Sequence, residues 1–268
     1  MFNVYSIENQ NFYLNNSLVS GVKSFNVDID LKIEPMISMY DSISYTKKGL
    51  PVAQFDLSYI LSDTDPFLQY TGLDSFFGKV EYGDEYVKFT DGYLTNYSLS
   101  YKLGEYPTVD IKGIIFNWEA SEISFKQNPV NLNTFNIGDP CFIDTNINIF
   151  NQNRVQSFAI NIDVNRISNY TIGNYVPDNV YIEYPIKQVI SFNSSTSNTV
   201  FASNLSDLPN SGYISPNAAQ YISIKKYQSN SDLARFNLPN NILTNLNSTF
   251  SNDNEAQFNA TNTLYLQP

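Results

Sequence analysis

The side chains of this sequence that could carry out chemistry are mainly carboxylates. The 268 residues include 26 Asp and Glu but no His, and Cys141 is the only cysteine. Histidine-based triads, histidine metal sites, cysteine-rich zinc sites and internal disulfides are therefore excluded. Two neighbouring carboxylates, such as Asp63 with Asp65 or Asp84 with Glu85, are what a glycosidase uses as acid and base. Both pairs lie at predicted turns, where Asp caps helices and forms turns, and we expect that structural role.

Other chemical motifs are missing from the sequence. It has neither a glycine-rich phosphate-binding loop nor the Gly-x-Ser-x-Gly turn of serine hydrolases. Asp28 and Asp30 share one side of a predicted strand and could bind Ca²⁺ with help from a loop. A strand that faces water or an acidic channel explains them more simply. We therefore predict that the protein is not an enzyme and uses no cofactor or metal ion.

These two aspartates belong to residues 22–33, the stretch around which the chain is organised. Apolar residues, among them Phe25, Val27 and Ile29, alternate there with polar ones, among them Asp28 and Asp30. A period of two residues predicts a β-strand with one buried face.

The same pattern returns in the second half of the chain. Residues 155–164 repeat the Val-x-Ser-Phe-x-[Val/Ile]-x-Ile-Asp of the stretch that starts at residue 22, an offset in residue number of 133 (155 minus 22). Residues 185–188 resemble 51–54 at an offset of 134, and residues 243–246 resemble 94–97 at an offset of 149. Because the three matches keep one order, we predict a tandem duplication. Its domains are 1–130 and 131–268, with the boundary in the Asn-, Pro- and Gly-rich segment 127–140.

Local signals predict an all-β protein. The chain contains 20 Tyr and 19 Phe, and aromatic residues suit the half-buried surface of a sheet. Asn15-Asn16 predicts the turn of a short opening hairpin, and Asp91-Gly92 predicts a second hairpin turn. Asp65 before Pro66, with Gly72 beyond, predicts a helix of one or two turns.

The charge and the chain start limit the possible partners. The formal net charge is −11 and the pI about 4.3, and the 15 basic residues are scattered. This pattern argues against a protein that grips nucleic acid through phosphates, but an acidic wall suits one that lets nucleic acid slide past. We found no signal-peptide pattern and no apolar run of the roughly 20 residues that a membrane span needs. We expect synthesis in a cytosol and no membrane span.

Several stretches resemble the tail tube (major tail) proteins of long-tailed bacteriophages. In the first half these are residues 18–25, Glu34-Pro35, residues 65–72, residues 92–100 and residues 104–107. In the second half the resemblance covers residues 153–158 and then Arg166, Tyr170, Gly173, Pro177 and Pro185. The second half departs from the first at Ile167-Ser168, which stands where the first has Glu34-Pro35.

The resemblance implies two tandem tail-tube-like domains, each a β-sandwich or partial barrel with at most a short flanking helix. Such a virion protein is made in the host bacterial cytoplasm and forms rings that stack into a hollow tube for DNA delivery. Three chains with two domains each would form a ring of six domains, and a hexameric ring of chains is the alternative. Its partners would be itself, other tail proteins at the tube ends, and double-stranded DNA that passes without specific binding.

Particular residues follow from this expectation. We expect Asp28, Asp30 and Asp163 to face the channel, and residues 36–50 and 166–180 to form hairpins or loops between subunits. The nearest alternative is a tail-end hub or distal ring protein, which forms one ring and no filament. A further alternative is a carbohydrate- or receptor-binding β-sandwich, which would need an exposed aromatic cluster on its loops.

Overall fold

A computed structural model describes most of the chain. The described residues are 10–30, 32–37, 43–47, 52–72, 74–82, 85–122, 140–145, 155–174, 176–197, 220–238, 242–250 and 255–266. They form strands and one short 3₁₀ turn, and the predicted all-β class is confirmed. Within these ranges no helix is long and apolar enough to cross a membrane.

The strands follow the chain in this order. The first half contains β1 (Gln10–Leu14), β2 (Ser17–Val19), β3 (Val22–Asp30), β4 (Ile33–Ile37), β5 (Ile43–Lys47), β6 (Val52–Ile60), the 3₁₀ turn (Leu68–Thr71), β7 (Phe76–Tyr82), β8 (Glu85–Lys102) and β9 (Thr108–Glu122). The second half contains β10 (Cys141–Thr145), β11 (Val155–Asp163), β12 (Arg166–Asn169), β13 (Asn179–Ile182), β14 (Ile186–Ser197), β15 (Gln220–Lys226), β16 (Asp232–Leu238), β17 (Ile242–Phe250) and β18 (Glu255–Leu266).

Eight antiparallel strands form the main sheet, in the order β3-β6-β9-β8-β11-β14-β18-β17. Strand β8 is 18 residues long and pairs along one edge with β9. Its other edge pairs first with β7 and then with β11. The branch through β7 continues to β1 and β2, and the whole sheet curls into half of a barrel.

The first half of the main sheet and the second half have the same strand order and share one irregularity near their first strands. The pairing of β3 with β6 shifts register between Val22 and Ser24. The pairing of β11 with β14 shifts between Val155 and Ser157, the positions that correspond to Val22 and Ser24 in the sequence repeat. Such a shift marks a β-bulge, which bends a strand locally.

A second bulge also occurs in both halves. It lies between Leu94 and Asn96 where β8 pairs with β9, and between Leu243 and Asn245 where β17 pairs with β18. These positions correspond through the sequence match of 243–246 with 94–97. The two four-stranded units, β3-β6-β9-β8 and β11-β14-β18-β17, therefore have matching order and matching bulges.

One of the sequence matches is wrong by one residue. Val27 pairs with Phe55, and its counterpart Ile160 pairs with Ile190. Strand β14 therefore corresponds to β6 at an offset of 135 (190 minus 55), and not at the 134 taken from residues 185–188. The difference matters because a slip of one residue turns every side chain to the other face of a strand.

Each half also has a short hairpin and a covering layer. Hairpins β4-β5 and β12-β13 follow β3 and β11. The covering layer of the first half consists of β1, β7 and the first part of β8, which pair in that order. The covering layer of the second half consists of β10, β15 and β16, which also pair in that order. Strand β8 of the main sheet pairs directly with β11. The division into domains 1–130 and 131–268 stays a prediction, and residues 127–139 of the boundary segment lie outside the described residues.

The hydrophobic core lies on one face of the main sheet. In the first half Phe12 of β1 packs on Phe25 of β3, with ring centroids 5.3 Å apart. Phe236 of β16, in the covering layer of the second half, packs on Tyr97 of β8 at 6.1 Å. Tyr97 and Leu57 lie on the same face of the sheet as Phe25, because cross-strand pairs connect these positions. Both covering layers therefore lie on the same face. The opposite face, which we call the polar face, is mostly polar but also carries Tyr93, Ile114 and Phe116.

The local predictions had mixed outcomes. The opening hairpin is confirmed, since β1 and β2 are joined by Asn15 and Asn16 with φ of 48° and 66°. The predicted short helix is a single 3₁₀ turn, and Asp65 accepts a hydrogen bond from the Phe67 amide before it. The strand predicted over 22–33 ends at Asp30.

The predicted hairpin turn at Asp91-Gly92 is wrong. Strand β8 runs straight through both residues. A Cβ atom on Gly92 would lie 2.8 Å from the rings of Phe76 and Phe89. The glycine is therefore explained by the close approach of two core rings, and not by a turn.

Candidate assembly interface

The pairing of β8 with β11 joins the two halves of the chain, and we call it the intrachain junction. It runs from Lys102, opposite Ser157, to Asn96, opposite Asp163. Two further backbone hydrogen bonds extend the pairing at its two ends. The Leu103 amide donates to the carbonyl of Gln156 at 2.7 Å, and the Val164 amide donates to the carbonyl of Thr95 at 2.9 Å. The halves are thus held by continuous backbone pairing, which fixes their register.

Side-chain amides reinforce this junction on the polar face. Nδ2 of Asn96 donates to Oδ1 of Asp163 at 2.6 Å and to Oδ1 of Asn161 at 2.9 Å. All three side chains are half-buried. The carboxylate of Asp163 is therefore part of the junction itself, a role that the alternation of the sequence did not reveal.

The outer edges of the main sheet belong to β3 and β17. Within the described residues, β3 pairs only with β6 and β17 only with β18. By the matching order of the two units, β3 is the counterpart of β11, and β17 is the counterpart of β8. The free edge of β3 is therefore equivalent to the edge of β11 that pairs with β8. The free edge of β17 is equivalent to the edge of β8 that pairs with β11. Unpaired edges of this kind are templates for pairing with another chain.

The three aspartates predicted to face a channel lie on the polar face. Asp28 and Asp30 are exposed on β3, and Asp163 is half-buried on β11. Asp30 forms an ion pair with Lys32, and hydrogen bonds from Lys32 lower the pKa of the Asp30 carboxyl. The polar face includes the free edge of β3 as well as the intrachain junction.

Two lysines of the main sheet also lie on the polar face. Lys112 of β9 is opposite Asp56 of β6 and lies 3.8 Å from its carboxylate. Lys187 of β14 is opposite Asp163. Both lysines are exposed, and the face therefore carries lysines as well as carboxylates.

The candidate catalytic carboxylates have structural surroundings. Asp65 is buried and accepts hydrogen bonds from the hydroxyls of Tyr59 at 2.7 Å and Tyr97 at 2.5 Å, in addition to the Phe67 amide at 2.8 Å. Burial raises the pKa of Asp65 although these bonds oppose the shift. Asp63 is exposed and lies 3.5 Å from Lys226. Of the other pair, Asp84 lies outside the described residues.

The hairpins expected between subunits form separate two-stranded sheets. Hairpin β12-β13 and its turn expose several large apolar side chains: Ile167, Tyr170, Ile172 and Tyr181. Exposed apolar residues that lie close together commonly mark interaction surfaces. Of the first-half segment, residues 38–42 and 48–50 lie outside the described residues.

No group of three or more metal-binding side chains occurs within the described ranges. No protein-family model matches the chain, and comparison with curated proteins finds no significant match.

Proposed function

We propose that this protein is a structural virion protein whose copies join edge to edge into rings, and that the rings stack as the hollow tail tube of a long-tailed bacteriophage. The observation that supports this most strongly is the identity of the free edges. Within the chain, β8 pairs with β11. The two outer edges are β17, the counterpart of β8, and β3, the counterpart of β11.

The intrachain junction predicts how two copies meet. Asn96 is opposite Asp163 in it. In the matching of the two units, Asn96 corresponds to Asn245 and Asp163 corresponds to Asp30. Asn245 of one copy would therefore lie opposite Asp30 of the next, and Asn247 opposite Asp28. We call this predicted pairing of β17 with β3 the interchain junction.

An interface of this kind is heterologous, because the two surfaces that meet are different. Heterologous contacts form a closed ring when the rotation between copies closes. Three chains with two four-stranded units each would supply six units, which is our preferred ring, and a ring of six chains is the alternative.

The two faces of the sheet suit opposite sides of a tube wall. The covering layers lie on one face, and we place them outside. The polar face would line the channel, where Asp28, Asp30 and Asp163 would meet DNA. Carboxylates repel phosphates, and lysines such as Lys112 are placed beside carboxylates, so the wall would lack the basic surface that holds nucleic acid.

Disulfide crosslinking tests the interchain junction. The variant Asp28→Cys with Asn247→Cys, in a Cys141→Ser background, should form disulfides between chains under mild oxidation, because paired residues have Cβ atoms about 4.5–5.5 Å apart. The matched control moves one cysteine by a residue, to Ser248→Cys, which turns that side chain to the other face. Equal crosslinking of the two variants, or none in assembled material, would contradict the register.

Electron microscopy of the same preparations tests the assembly. We expect long striated tubes. The disulfide-linked species in them should contain at most three chains, whereas species of up to six chains would favour the hexameric ring. Isolated rings without tubes would favour the tail-end hub, which uses the same edges.

The carbohydrate-binding alternative is favoured by one observation, the exposed Tyr170 and Tyr181 of hairpin β12-β13. Aromatic rings stack on sugars, and a glycan array with Tyr181→Ala as the control would detect such binding. Glycan binding by a protein that stays monomeric at all concentrations would replace the tube proposal.

A further inference from the structure

The apolar side of β3 is only partly covered in the single chain. Its residues alternate towards the core, and we call them the β3 strip: Val22, Phe25, Val27 and Ile29. Phe25 packs on Phe12 of the covering layer. It nevertheless stays half-buried, as do Val22 and Val27, and Ile29 is 41% exposed. The hydrophobic core therefore remains open along this edge of the main sheet.

The equivalent residues of β11 are buried. The sequence repeat equates the β3 strip with Val155, Phe158, Ile160 and Ile162. Ile162, the counterpart of Ile29, is only 4% exposed. The neighbouring strand explains this difference, because Tyr97 of β8 lies directly opposite Ile162 and packs on Phe236 of the covering layer. Within the described residues, no strand lies at the corresponding edge of β3.

Strand β17 of another copy has the residue types to cover the β3 strip. In the matching of β8 with β17, Tyr97 and Tyr101 correspond to Leu246 and Phe250. In the register of the interchain junction, Leu246 would lie opposite Ile29 and Phe250 opposite Phe25. Both residues are apolar, and this strand would therefore offer β3 what β8 offers β11.

One contact between the halves at the intrachain junction cannot recur at the interchain junction. Nε of Arg166 donates to the carbonyl of Leu94 at 3.0 Å, and Nη2 donates to that of Gly72 at 2.6 Å. The offset of 133 equates Arg166 with Ile33, which has no side-chain donor. The interchain junction would therefore depend more strongly on apolar contacts than the intrachain junction does.

We propose that the β3 strip is a docking surface for β17 of a second copy, and that assembly completes a hydrophobic core which the single chain leaves open at this edge. Apolar burial would supply most of the affinity, because backbone pairing largely exchanges hydrogen bonds with water for hydrogen bonds with protein. Ile29 is the residue that gains most, since it is the most exposed member of the strip. The inference rests on the proposed function for the existence of the interchain junction.

Thiol protection measures this burial directly. In the Cys141→Ser background, Ile29→Cys should react readily with a small maleimide while the protein is dilute and unassembled. On assembly its reaction rate should fall at least about tenfold, because a buried thiol is inert. Asn26→Cys is the matched control, since Asn26 is exposed on the polar face of the same strand, and it should stay reactive. Equal protection of the two thiols, or none at Ile29→Cys in assembled protein, overturns the inference.

A second pair of variants measures the contribution to assembly. Ile29→Thr keeps the β-branched shape that suits a strand but loses apolar surface, and the protein concentration needed for assembly should rise at least about tenfold. Asn26→Thr, on the opposite face, should change that concentration by less than about threefold. Equal effects of the two variants would mean that backbone pairing alone joins the copies.

Urea denaturation of dilute protein separates docking from folding. Ile162→Thr should lower the denaturation midpoint, because Ile162 is buried within the chain, whereas Ile29→Thr should leave it nearly unchanged. If Ile29→Thr lowers the midpoint as much as Ile162→Thr does, the β3 strip belongs to a finished core and the inference fails.

The outcomes also separate this inference from the proposed function. Protection of Ile29→Cys in isolated rings supports the docking surface and refutes only the tube. Tubes in which Ile29→Cys stays reactive refute the docking surface and leave the tube standing. Protein that stays monomeric at every concentration overturns both.

Discussion

The hydroxyl of Tyr97 donates a hydrogen bond to Oδ2 of Asp65 at 2.5 Å, although the two residues are 32 positions apart. Tyr59 donates to the other carboxylate oxygen. Three buried polar groups, from β6, from β8 and from the loop before the 3₁₀ turn, thus satisfy one another in the core. A buried polar network of this kind stabilises a fold only while every member keeps its partners.

Loss of one partner should therefore be costly. We expect Tyr97→Phe to lower the free energy of unfolding by about 1–3 kcal/mol, because the carboxylate stays buried after it loses a hydrogen-bond donor. Urea denaturation measures the loss. Tyr181→Phe, at an exposed tyrosine of β13, is the control and should change stability by less than about 0.5 kcal/mol. Equal effects of the two would show that the network contributes nothing.

Asp65 should also make stability depend on pH. Burial raises the pKa of Asp65 in the folded state above its ordinary value of 3.8. The folded state therefore holds this proton more tightly than the unfolded state does. The stabilisation is complete below pH 3.8 and is lost as the pH rises through the folded pKa.

The variant Asp65→Asn isolates this contribution because it cannot titrate. The difference in unfolding free energy, wild type minus variant, should fall as the pH is raised from acid to neutral. Chemical denaturation at a series of pH values measures it. A difference that grows with pH would mean that hydrogen bonding, and not burial, dominates the pKa of Asp65.

Gly113 should not tolerate a side chain. A Cβ atom there would lie 2.2 Å from the Phe55 ring and 2.6 Å from the backbone oxygen of Tyr93. We expect Gly113→Ala to destabilise the protein by about 1–3 kcal/mol through overpacking. Gly72→Ala is the matched control, because a Cβ atom at Gly72 would meet nothing within 4 Å. Thermal unfolding of both variants measures the contrast, and similar melting temperatures would refute it.

The channel assignment makes a prediction about DNA delivery. If the polar face lines the tube, replacing Asp28 and Asp30 with Lys should slow DNA ejection without preventing tube assembly, because lysines attract phosphates. Phage that carry the variant can be assayed by triggered DNA release. Asp74→Lys, at an exposed residue outside the main sheet, is the control. Unchanged ejection kinetics in Asp28→Lys with Asp30→Lys would exclude these residues from the channel surface.

Local signals in the sequence predicted the fold class and much of its strand content. Alternation over residues 22–33 produced β3, and Asn15-Asn16 produced the turn between β1 and β2. Signals for single turns were less dependable. Asp91-Gly92 has the residue types of a hairpin turn, but the rings of Phe76 and Phe89 require the glycine there.

The candidate interface was only partly predictable. Asp28, Asp30 and Asp163 lie on one face of the main sheet, and the expectation that they face a channel stays a prediction. Arg166 was noticed only as part of a resemblance, and Asn96 only within a matching segment. Their partners lie far away along the chain, since Leu94 precedes Arg166 by 72 positions and Asp163 follows Asn96 by 67. No local pattern reports contacts at that separation.

The sequence by itself determined the all-β class, the alternation of β3 with one apolar face, and that the patterns at 22–31 and 94–97 recur at 155–164 and 243–246. These properties are local, because neighbouring side chains decide alternation and turn geometry. Only the tertiary structure decided that β8 pairs with β11, that Ile190 and not its neighbour corresponds to Phe55, and that β3 and β17 remain at the edges. The edges of antiparallel strands with similar alternation offer nearly the same backbone hydrogen bonds. Which strand pairs with which therefore depends on core packing and on contacts such as that of Arg166 with Leu94.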